Sequence, residues 1–164
     1  MHDSFRIAYE VEQVQCDLPT DIVQVFVEYV LVGTVTIFSG ERSLKISPCG
    51  LLHASQSLVR LCTFPVMYGV EASESRFDIG ADFRSTFEDG DLVLEVNPGL
   101  KEDNLVVRVP PVEAQKIVGS FHRDVLLDLF RLCPQLQYEN LLLVKIPDAF
   151  PLAGLKLAGK IGSG

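Results

Sequence analysis

Three histidines, four cysteines and a dense run of carboxylates are the residues of this chain whose types could do chemistry. Their spacing limits that chemistry. His2, His53 and His122 fall in different stretches, no two of them a helical turn apart, and none neighbours a cysteine at metal-ligand spacing. A zinc site needs such regularity, so none is assigned. His122-Arg123-Asp124 has the form of a kinase catalytic loop, but it lies within a helical pattern and no glycine-rich loop or Asp-Phe-Gly accompanies it. Cys49 and His53 stand at i and i+4, and Ser47-Pro48 just before them predicts a helix start. That would place Cys49 in a first helical turn, where the dipole lowers a thiol pKa. The preferred reading is plainer: a partly buried cysteine beside a polar histidine, because nothing supplies an orienting third group or an oxyanion hole. Glu88-Asp89-Gly90-Asp91 lacks the alternating oxygen ligands and terminal glutamate of an EF-hand. No catalytic residue, metal or cofactor is expected.

The carboxylates themselves are the most pointed feature. Between Glu71 and Asp103 ten acidic residues stand against three basic ones, a local net charge of −7 in a chain whose total is −8. A field so concentrated speeds encounter with a positively charged partner and repels phosphate backbones. Solubility alone would be served by dispersed charge, so the cluster reads either as a solvated face or as a docking surface. The sequence pI near 4.8 argues against nucleic acid or an anionic membrane as the main partner.

The elements that must position these groups follow from periodicity. With 164 residues and an apolar fraction of 48%, the chain has the make-up of one well-cored domain. Phe5, Ile7, Tyr9 and Val11 alternate with polar residues as a half-buried strand. Ile22 to Phe38 is strongly β-branched, with a bulge or bend expected at Gly33, and its exposure would invite edge pairing. Ser39-Gly40-Glu41 turns the chain into a strand holding Leu44 and Ile46. A helix is expected from Ser47-Pro48 to Pro65. A three-stranded antiparallel meander from Phe77 to Val109 comes next, with turns at Asp89-Gly90 and Asn97-Pro98-Gly99 and its charges on one face. A second helix runs from Pro110-Pro111 to Pro134, and Leu141 to Ile146 could form a last strand. The expected fold is therefore α+β: one domain over residues 1–150, an antiparallel sheet with two main helices packed on one face. Residues 151–164 are expected to form a flexible tail.

The cysteines, spaced by 33, 13 and 71 positions with no Cys-x-x-Cys pair, are expected to be structural thiols rather than a disulfide framework. No signal peptide is read at Met1 to Gln15, and no run is long and apolar enough for a bilayer. The cytoplasm is the expected compartment.

The order strand, hairpin, helix, meander, helix over residues 5–133 resembles the immunity proteins of bacterial polymorphic-toxin systems. Gly33-Thr34-Val35-Thr36-Ile37-Phe38-Ser39-Gly40 and Leu44-Lys45-Ile46, running toward Pro48, carry that resemblance. It implies a non-catalytic protein that neutralises a cognate toxin domain, and a basic, nuclease-like toxin is the electrostatic complement of an acidic face. The expected contact set is Asp78, Asp82, Glu88, Asp89, Asp91 and Glu95, with Phe87 as an apolar anchor. The alternative is an assembly subunit or adaptor that self-associates, as a homodimer for instance, through sheet edges or apolar faces.

Overall fold

A computed structural model describes residues 2, 4–16, 30–75, 81–97, 102 and 104–134. Residues 22–29 of the β-branched run, the start of the meander at Phe77 with Asp78, Pro98-Gly99 of the second turn, the Leu141–Ile146 stretch, the boundary at 150 and the expected tail lie outside the described residues. The first sheet has the order β1-β2-β3, all antiparallel: β1 (Phe5–Val14), β2 (Leu31–Ser39) and β3 (Arg42–Gly50). Gly40, at φ 58°, makes the tight β2–β3 turn that the sequence predicts. Gly33 also behaves as expected: the ladder is irregular on both sides of it, and a Cβ there would strike the backbone carbonyl of Glu10. β2 is the central strand, so the described part of the β-branched run, from Val30 on, contributes core rather than an open edge.

The first helix, α1 (Leu51–Tyr68), corrects two expectations. It does not start at Ser47-Pro48. Those residues stay in β3, across a cis peptide bond, and Cys49 and Gly50 pair with Gly33 and Val32. The pairing with β2 overrides the local start signal, and Gly50 caps the helix without a side-chain bond. Nor does Pro65 end it. Pro65 has no N–H for the Leu61 carbonyl, but Ser85 Oγ donates a 2.6 Å hydrogen bond to that same oxygen, and the helix continues to Tyr68. Gly69 then closes α1 at φ 64°, its N–H donating to Pro65 O. α1 is apolar on nearly every side, from Leu51 and Leu52 to Leu61 and Cys62, as suits a helix enclosed by both sheets and the second helix.

The second sheet has the order β4-β5-β6-β7, again antiparallel: β4 (Ala72–Ser75), β5 (Asp82–Glu88), β6 (Asp91–Val96) and β7 (Leu105–Val109). From Asp82 on, the expected meander is present, with a fourth strand, β4, added at its edge. The strands divide between two sheets, joined where Ser39 Oγ donates to Val106 O at 3.0 Å and Arg42 donates to Asn104 O. Phe83, Leu92, Leu94, Val96, Leu105, Val107 and Val109 face the common core. The second helix, α2 (Pro111–Leu132), has proline in its first turn and packs Ala114, Val118, Gly119, Val125 and Leu129 inward. The class is α+β, as the periodicity predicts.

A covalent bond joins two of these elements. Cys16 and Cys133 form a disulfide with Cα atoms 5.7 Å apart, which overturns the expectation of four free thiols. The reason is topological: α2 runs alongside β1 in the same direction, so the chain just after β1 and the cap of α2 arrive together. A separation of 117 residues gives no hint of that meeting.

Candidate functional site

Alternation along β5, β6 and β7 sends Phe83, Ser85, Leu92, Leu94, Leu105 and Val107 inward, and the same parity sends Asp82, Arg84, Thr86, Glu88, Asp91, Glu95 and Arg108 outward. The charges of the meander therefore do share one face. Cross-strand register decides what each one meets. The two-residue turn at Asp89-Gly90, with φ values of 53° and 87°, sets Glu88 opposite Asp91 and Arg84 opposite Glu95.

The face is less acidic than the sequence window suggests, because it contains its own cations. Arg84 Nη2 donates to both carboxylate oxygens of Glu95, at 2.8 and 2.9 Å. That carboxylate, by hydrogen bond and charge, pushes the guanidinium pKa up. Arg108 stands 3.5 Å from Asp91 and 3.7 Å from Glu88. His2 Nε2 lies 2.9 Å from Asp91 Oδ1. Glu95 and Asp91 are thus held inside the sheet's own network, whereas Glu88 is half exposed and accepts a bond from Thr86 Oγ1 at 2.7 Å. Asp89 projects from the turn, exposed, with no hydrogen bond or ion pair among the described residues. Asp82 is exposed at the far end of β5, its backbone closed against Asn97.

The expected contact set consequently separates into parts. Glu88, Asp89 and Asp91 meet at the β5–β6 tip. Glu95 and Asp82 lie down the strands toward the other end. Phe87, 43% exposed, has the parity of Phe83 and Ser85, so it emerges at the tip from the opposite face to the carboxylates. Arg84, Arg108 and His2 are the members that sequence reasoning missed. Arg84 was legible from parity and turn register. Arg108 lies beyond the acidic window and returns to it only through the β6–β7 pairing, and His2 arrives from the other end of the chain.

The remaining candidates do not assemble into a reactive centre. Cys49 is a buried strand residue, not a first-turn one, and burial pushes its thiol up to about 11, away from the nucleophilic thiolate. His53 sits at the third position of α1, no longer one helical turn from it. Cys62, fully buried, is pushed up to about 12 for the same reason. His122 forms an interhelical link. Ser55 Oγ donates to Leu52 O at 2.8 Å, leaving its oxygen to accept from His122 Nδ1–H at 2.7 Å. Burial lowers the imidazole pKa to about 4. Among the described residues no three His, Cys, Asp or Glu side chains gather closely enough to hold a metal ion, and no helix is long and apolar enough to cross a membrane.

Compared with known proteins, the chain matches no family model, no curated protein and no solved structure, so its surface chemistry stands as the basis for a functional reading.

Proposed function

We propose that this protein is a non-catalytic binding protein that neutralises a basic partner, of the nuclease-like toxin class that its resemblance to immunity proteins implies. The observation that carries the reading is the β5–β6 tip, where Glu88 and Asp89 stand exposed, Asp89 without an ion pair among the described residues, and Phe87 emerges from the opposite face of the same tip. Charge of this kind steers encounter, and an exposed aromatic on the other side of the tip supplies anchoring to a partner that wraps around it. Asp91 and Glu95 serve as supports, because Arg108 and Arg84 already engage them. Against a basic partner protein, Asp89→Lys is expected to slow association about threefold or more at low ionic strength and to flatten its salt dependence, with the fold retained and only a small loss of stability from the positive-φ turn. An unaltered rate would refute the assignment of the tip as the contact.

A second reading, assembly through sheet edges, draws support from β1, a ten-residue strand at the edge of the first sheet. The expected compartment is the cytoplasm. The Cys16–Cys133 bond weighs against it, since disulfides persist chiefly in oxidising compartments.

A further inference from the structure

β1 pairs with β2 along one side and, among the described residues, with no strand along the other. An edge of that length presents a row of open N–H and C=O groups. Proline, a frequent deterrent to edge pairing, is absent from it, and its bulge falls late, between Val11 and Gln13. Its outward residues do carry charge, but in a self-complementary order: Arg6, Ala8 and Glu10, all exposed, with the Arg6 guanidinium resting 4.1 Å over the Phe38 ring, from which it must swing to meet a second copy. In an antiparallel pairing of two β1 strands about a two-fold axis at Ala8, each Arg6 lies opposite Glu10 of the second copy. On the inner side, Ile7 falls opposite Tyr9 of the second copy, both half-buried in the monomer.

The flanking helix carries the same order of residues. Tyr9 packs on Phe121 with ring centroids 5.5 Å apart, and its hydroxyl donates to Asp128 Oδ2 at 2.6 Å, so α2 lies directly beside β1. Between them runs an open cleft of about 280 Å³, lined by Ile7, Tyr9, Ile117 and Phe121, with Lys116, Ser120 and Asp124 along its α2 side. Ser120 is small and exposed, and lines the same cleft as Ile7 and Tyr9. Lys116 stands one turn before it and Asp124 one turn after. If the same axis passes beside Ser120, it sets Lys116 toward Asp124, which Arg123 approaches at 3.5 Å. Cation, small residue and carboxylate follow in the same order on both elements, the condition for an isologous interface.

We propose that the occupant of this edge is a second copy of the chain, giving a two-fold dimer with a continuous sheet through β1 and the cleft closed between the α2 helices. The inference does not rest on the acidic tip, which lies on the other sheet. The test is the mass in solution across a concentration series, by sedimentation or light scattering, for the protein and for Arg6→Glu, Glu10→Arg and the combined variant. The wild type is expected at twice 18.1 kDa. Each single reversal sets like charges opposite each other twice and is expected to raise the dimer dissociation constant at least about tenfold. The combined variant restores the pairing in inverted form and is expected to return to within about threefold of wild type. Lys116→Glu and Asp124→Lys, singly and together, repeat the comparison on the helix. A mass of 18.1 kDa at every concentration, or a dimer that none of these reversals weakens, would overturn the proposal.

Discussion

A proline in the interior of a helix leaves one carbonyl without its donor, and here Ser85 reaches across from β5 to supply it. Both Ser85 and the turn it serves are fully enclosed, so the Ser85→Ala variant strands a buried carbonyl at Leu61. The expected loss is about 1–3 kcal/mol in urea unfolding, more than a methyl-for-hydroxyl change at an exposed position would bring. His122 makes a prediction of a different kind. In the unfolded chain its ring takes up a proton as pH falls through about 6.5. In the folded protein, burial delays that step until about 4. Between those values the unfolded state holds more protons, so this contribution to stability is complete above about 6.5 and is lost as pH falls toward about 4. The full loss is about 3 kcal/mol. His122→Leu is expected to flatten this part of the stability–pH curve. An unchanged slope in that variant would assign the acid sensitivity to other groups.

At the scale of elements, the strands and turns that alternation and glycine dipeptides mark are where the sequence is most legible. β1, the β2–β3 hairpin, the Asp89-Gly90 turn and the Pro111 start of α2 all follow from local chemistry. The misreadings have one cause, a partner distant in sequence. Ser47-Pro48 looks like a helix start until Gly33 claims Cys49 for the ladder, and Pro65 looks like a helix stop until Ser85 replaces its missing bond. The candidate surface was legible to the same degree. Parity puts the carboxylates on one face, but Arg108 and His2 join them only through tertiary pairing, so a charge count along the chain overstates the field. The tip and the strand carboxylates should therefore respond differently. Glu95→Gln releases Arg84 and is expected to lower stability slightly while leaving association nearly unchanged. Asp89→Lys should act chiefly on association. Equal effects on binding from both would show that the whole face, rather than its tip, meets the partner.

For the molecule as a whole, the disulfide closes a loop that contains nearly every described element, from the end of β1 to the cap of α2. On the chain-entropy account such a closure restricts the unfolded state strongly, and Cys16→Ser is expected to lower stability by about 2–4 kcal/mol. Alkylation of the unfolded, unreduced protein should then modify Cys49 and Cys62 alone, and four labelled cysteines would show the bond open. The most direct test of the central claim is capture of partners from the source cell, with the wild type and Asp89→Lys as parallel baits at low and high salt. The account predicts a basic protein that the wild type retains at low salt, that high salt releases, and that Asp89→Lys fails to hold. The same partners on both baits, indifferent to salt, would contradict it.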